Sequence, residues 1–141
     1  MVALDKMTGE TVWQTQSMGG PRAYASPTLY EYNDFKYILA VIGTHLLAIH
    51  PESGEIAWSY NYFDLGDWDQ TGLIWTNTPV FNNDEIFLSK GYDYPAVMLK
   101  MDSTGTAVTE KFIDRTLDNH HHGLILHEGH LYGSNWFDNR R

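Results

Sequence analysis

The sequence predicts an all-β chain built from a repeated four-stranded antiparallel unit, and three observations point there. Aromatic residues are plentiful, with six Phe, five Trp and nine Tyr, and such residues favour strands. No stretch of a dozen residues carries apolar positions at helical spacing; apolar runs of four to seven residues stop instead at Gly, Asn, Asp or Pro. The chain also repeats itself. Ala-Leu-Asp-Lys-Met-Thr-Gly-Glu-Thr-Val-Trp at 3–13 aligns position by position with Ala-Ile-His-Pro-Glu-Ser-Gly-Glu-Ile-Ala-Trp at 48–58, an offset of 45 residues.

Taken in order, residues 1–16 supply the last two strands of one unit, C and D, joined at Thr8-Gly9. Residues 17–61 hold a whole unit, with strand A at 26–31, B at 37–42, C at 46–50 and D at 55–61. Residues 62–112 hold a second, with A at 78–82, B at 85–90, C at 96–101 and D at 106–112. Residues 113–141 carry strands A and B again, around 123–126 and 131–133. A weaker third copy of the C–D motif falls at 99–108, its glycine 51 residues beyond that of the second. Gly9, Gly54 and Gly105 stand where a hairpin needs a positive φ, and Thr8 or Ser53 has a hydroxyl that can bond the turn backbone. Trp13 and Trp58 have the area to dominate packing between neighbouring sheets. His50 stands where the first copy has Asp5, and Thr109 stands where the third copy would have Trp. Short strands recurring four at a time every 45 to 52 residues match the blade of a β-propeller, here a partial one that begins and ends within blades.

The Ala-x-Asp-x-x-Thr-Gly-x-x-x-Trp pattern and its near copy resemble the tryptophan-docking repeat of the pyrroloquinoline quinone (PQQ) type β-propellers. The Ser/Thr-Pro start of strand A, at Ser26-Pro27 and Thr78-Pro79, fits as well. The resemblance implies that each Thr-Gly closes the turn between strands C and D, and that the Trp on strand D packs on the next blade. It spans quinone-dependent alcohol and sugar dehydrogenases and non-catalytic scaffolds such as the outer-membrane assembly lipoprotein, so fold alone does not choose the chemistry. PQQ and calcium are cofactors it admits. Its dehydrogenases would call for a Glu/Asn/Asp calcium set, a base Asp, a Trp beneath the quinone and a vicinal Cys pair, and this chain has no Cys. A periplasmic or cell-envelope location also follows from the resemblance alone. Met1 is followed by neither a basic region nor an apolar stretch of signal-peptide length, and an export signal is expected upstream.

Charge narrows the partners. Eighteen acidic and nine basic side chains give a net charge of −9, a surface that repels phosphate backbones, so nucleic acid is not an expected partner. The absence of cysteine removes disulfides, zinc-thiolate sites and thiol nucleophiles. The longest apolar run, 37–42, is far below the roughly 20 residues of a membrane-spanning helix. No nucleophile elbow, phosphate-cradling glycine loop or His-Glu-x-x-His helix is present.

In a meander blade the D-to-A and B-to-C connections share one face, opposite the Thr-Gly turns. Here those connections, 19–24, 60–75, 91–95 and 114–122, are long and chemically rich, as binding loops on a rigid scaffold are. Aligning the strand A entries sets Ala25, Asn77 and His122 in one column and Tyr24, Thr76 and His121 in the next. Arg22, Tyr24, Trp75, Asn77, His120, His121 and His122 are thereby expected to converge as ligand contacts at the channel mouth. Two imidazoles at i and i+2, His120 and His122, suit a metal or an anion, with His121 on the opposite side unless the chain bends. Asp67 and Asp69 in Asp-x-Asp-x-x-Gly are weak calcium candidates. Tyr60, Tyr62, Phe63, Trp68, Trp75, Tyr92 and Tyr94 give the face an aromatic character suited to a sugar, a quinone or a partner strand, some of them belonging to the core.

The reading is a ligand- or protein-binding scaffold. The alternatives are a portion of a quinoprotein dehydrogenase oxidising alcohols or sugars, and a glycan-binding or polymer-degrading propeller. The expected partners are further blades, a protein, or a small molecule or sugar; the open half-blades at either end invite self-association.

Overall fold

The computed structural model describes residues 1–66 and 74–135, and among them the chain is all-β apart from one 3-10 turn at Tyr62–Leu65. Twelve strands occur, β1 Val2–Leu4, β2 Thr11–Gln14, β3 Thr28–Tyr32, β4 Phe35–Val41, β5 His45–Ile49, β6 Ile56–Asn61, β7 Val80–Asn82, β8 Glu85–Leu88, β9 Ala96–Met101, β10 Val108–Asp114, β11 Ile125–His127 and β12 His130–Tyr132. They pair in chain order as antiparallel sheets of two, four, four and two strands: β1-β2, β3-β4-β5-β6, β7-β8-β9-β10 and β11-β12. The strands lie within two residues of the positions that the repeat assigns at most ends.

Each A–B hairpin closes through two residues whose first is left-handed: Asn33 at φ 52°, Asn83 at φ 52° and Glu128 at φ 47°. Asn tolerates that conformation better than most residues, which makes Asn33 and Asn83 natural choices. The C–D turns follow the repeat motif. Gly9 N–H donates to Asp5 O at 2.8 Å and Gly54 N–H to His50 O at 2.9 Å. Thr8 Oγ1 and Ser53 Oγ each accept from the backbone N–H two residues on, at 3.2 Å. The third copy closes more tightly, Gly105 N–H donating to Asp102 O at 3.2 Å, with Asp102 Oδ1 accepting from Thr106 N–H at 3.0 Å.

Alternation along β4 and β5 explains why 37–42 reads as one continuous apolar run. Tyr37, Leu39, Val41, Leu46 and Ala48 face a large core shared with Ile86, Leu88, Val97, Leu99 and Met101 of the next sheet. Ile38, Ala40, Ile42, Leu47 and Ile49 face a smaller core with Trp13. A sheet covered on both faces has no polar side to alternate with. Tyrosine hydroxyls tie the two larger sheets together: Tyr30 donates to Asn83 O at 2.7 Å and Tyr37 to Gly105 O at 2.9 Å.

The two Trp positions are used differently. Trp13 lies over Gly54, whose added Cβ would fall 2.5 Å from the indole, and its Nε1–H donates to Pro51 O at 2.8 Å. At the next junction the ring of Phe35 occupies the space over Gly105. Trp58 lies deeper, 6% exposed and edge-on to Tyr37.

Candidate functional site

The connections that enter each four-stranded sheet, and the one that enters β11, run side by side. Ala23 and Trp75 form a parallel bridge, Tyr24 N–H donates to Trp75 O at 2.7 Å, and Thr78 Oγ1 donates to Ser26 O at 3.2 Å. These pairs share the register that sequence alignment gives to Tyr24 with Thr76 and Ala25 with Asn77. The next step departs from it. Asn77 Nδ2 donates to Asn119 Oδ1 at 2.6 Å, and Thr76 Oγ1 donates to His120 O, so Asn119 rather than His122 meets Asn77. Beyond that contact the chain bends, with His122 at φ 82°, and His121 and His122 are exposed while His120 stays buried.

The rim therefore unites Trp75, Asn77 and His120, all buried, and leaves Arg22, Tyr24 and His122 exposed beside it. Asn119 is its hub. Asn119 N–H donates to Ser89 Oγ at 3.2 Å, Asn119 O accepts from Ser89 Oγ at 3.0 Å, and Asn119 Nδ2 donates to Ser134 O at 2.8 Å. His120 Nδ1–H donates to Lys90 O at 2.9 Å, and burial lowers the imidazole pKa, favouring the neutral ring.

Sequence reasoning passed over Lys90, Ser89 and Asn119. Lys90 is fully buried, its Nζ has no hydrogen-bond partner among the described residues, and it lies 4.3 Å from the centre of the Phe63 ring and 5.1 Å from that of Tyr94. Burial lowers its pKa to about 8. The available signal was its setting, the one basic residue in 86–97, next to the Gly91 that ends strand B. The aromatic face is mostly interior: Tyr62, Phe63, Trp75 and Tyr94 pack together, with Tyr62 4.5 Å from Trp75 and 5.2 Å from Tyr94 between ring centres. Tyr60 and Tyr92 are half-buried. Among the described residues Trp75 Nε1 is buried without a partner, as is Asp118 Oδ1, whose carboxyl pKa is raised by burial.

Asp67, Asp69 and Trp68 lie outside the described residues. Among the described residues no group of three or more His, Asp or Glu side chains gathers as a metal site. The described residues thus do not offer the oxygen-ligand set of a calcium-bound quinone. No helix among them is long and apolar enough to cross a membrane. No protein-family model matches the chain, and no curated protein matches its sequence significantly.

Proposed function

We propose that the chain is built of PQQ-type propeller blades, working in the cell envelope, and serves as a scaffold whose inter-sheet rim binds a ligand or partner. The observation that carries this reading is the hydrogen-bonded alignment of three successive sheet entries, 22–26, 74–78 and 118–122. Sheets stacked face to face, with their first strands entering side by side, are what a radial arrangement requires. Buried polar groups held on such a rigid frame are preorganised for recognition. The stacking of Trp13 on Gly54 supports the repeat assignment.

Amide chemical-shift mapping of the full chain against a small-molecule library tests the reading. Shifts are expected to cluster at 22–26, 74–78, 89–95 and 118–122 and to vanish in Asn77→Ala. Shifts scattered elsewhere, or none, would overturn it. Adding PQQ with calcium to the same sample tests the dehydrogenase alternative, which needs tight binding at this rim.

A further inference from the structure

The connection between β8 and β9 holds two features that cost the folded state free energy, side by side. The first is Lys90. An ammonium has three N–H donors, and among the described residues none finds an acceptor. Two aromatic faces return only part of the cost of taking the charge out of water. The second is backbone. Gly91, Tyr92 and Asp93 are consecutive left-handed residues, at φ 76°, 64° and 56°, and a bulky side chain such as that of Tyr92 is rarely found there. Asp118 Oδ2 holds the segment by accepting from Asp93 N–H at 3.1 Å. No alanine could replace Gly91, because its Cβ would collide with His120. Strained backbone clusters at functional sites, and a buried polar group without a partner calls for an explanation.

The surroundings define the missing partner. Trp75 Nε1 is a second buried donor without an acceptor among the described residues, and its ring reaches Tyr94 through Tyr62, 4.5 Å from Trp75 and 5.2 Å from Tyr94 between ring centres. A ligand that satisfies these groups brings oxygen acceptors, one negative charge to match one cation, and a ring or C–H face to lie against aromatic walls. A phosphate dianion is a poorer match, since a single ammonium supplies half its charge. We infer that Lys90 and Trp75 form the recognition end of a subsite for a ring-bearing carboxylate, a sugar acid or an aromatic acid. This rests on the reading of the rim as a binding face and adds its ligand class. Because Lys90 is fully buried, entry requires Phe63, on the 3-10 turn, to part from Tyr94 on the 89–95 connection, so association is slower than the usual range for a preformed pocket.

Melting curves and lysine side-chain carbon shifts of the full chain, with galacturonate, benzoate or neutral galactose at constant ionic strength, test the inference. Either carboxylate should raise Tm and move the Lys90 ε-carbon signal, galactose should do neither, and Lys90→Arg should keep the response. Lys90→Met should abolish the response while melting above the parent, because it removes an unpaired charge at similar volume. A stronger effect of galacturonate than of benzoate identifies the sugar acid, and the reverse identifies the flat acid. Equal responses to galactose and galacturonate at the rim would leave the binding face standing and sink this subsite. A carboxylate response surviving in Lys90→Met would sink it too, and no response from any of the three would count against both readings.

Discussion

A glycine in a left-handed turn is required by its own backbone, by the neighbour that lies on it, or by both, and Gly9 and Gly54 separate these reasons. Their φ angles are nearly equal, 77° and 76°, but nothing lies within 4 Å of a Cβ added at Gly9, whereas at Gly54 that atom would meet the Trp13 ring at 2.5 Å. Gly9→Ala therefore carries only the left-handed cost, roughly 1–2 kcal/mol. Gly54→Ala adds displacement of the indole, for a total of about 3–4 kcal/mol. Urea unfolding of the two variants checks this, and equal losses would mean that Trp13 does not bear on Gly54. Each role was legible in the sequence, a positive φ at Gly54 and inter-sheet packing for Trp13, but not that the indole lies on this glycine. Lys90 was not, since a lone lysine at a strand end reads as an exposed charge, and only three-dimensional packing seals it behind Phe63 and Tyr94.

At the level of elements, strand order and hairpins were readable from local chemistry: Asn33 and Asn83 at their turns, and the Thr8-Gly9 and Ser53-Gly54 closures. What the repeat did not reveal is that Phe35 replaces a Trp over Gly105, because Phe35 lies 70 residues away in sequence and outside the repeated motif. Nor did spacing reveal that Asn77 meets Asn119, or that the chain bends at His122. The two-stranded sheets carry a consequence of their own. Val2, Leu4 and Val12 on β1-β2, and Ile125 and Tyr132 on β11-β12, are half or more exposed, and among the described residues β1 pairs only with β2 and β12 only with β11. An antiparallel ladder between β12 of one copy and β1 of another would give the order β11-β12-β1-β2, the same meander as the intact sheets. This chain on its own is expected to associate head to tail as its concentration rises, and Leu4→Lys on the outer strand should suppress that. Sedimentation velocity decides it; a monomer at all concentrations would show that these edges do not pair.

For the molecule as a whole, pH gathers the perturbed ionisable groups into one measurable curve. Asp5 and Asp102 accept hydrogen bonds from turn backbone and hydroxyl groups that hold their carboxyl pKa values low, so the stability they lend is present above the ordinary carboxylate range and is lost as pH falls through their folded values. Both are exposed, which keeps that loss small. Lys90 acts at the other end. Its folded pKa of about 8 against an ordinary 10.5 means that the unfolded chain binds more protons between those values, so stability rises with pH across that window. The full relief is roughly 3 kcal/mol. Tyr30 and Tyr94, held up to about 12 by burial, reverse the slope above pH 10, where only the unfolded phenols ionise. Stability should therefore peak on the alkaline side, between about pH 9 and 10, although the chain carries a net charge of −9 at pH 7 and grows more self-repelling as pH rises. Self-repulsion acts almost equally on Lys90→Met, so the difference between the parent and variant curves isolates the ammonium. Unfolding free energies from urea titrations at pH 7, 8.5 and 10 should show the variant's advantage shrinking by up to about 3 kcal/mol across the series. Parallel curves would mean that the Lys90 charge is already compensated in the folded chain.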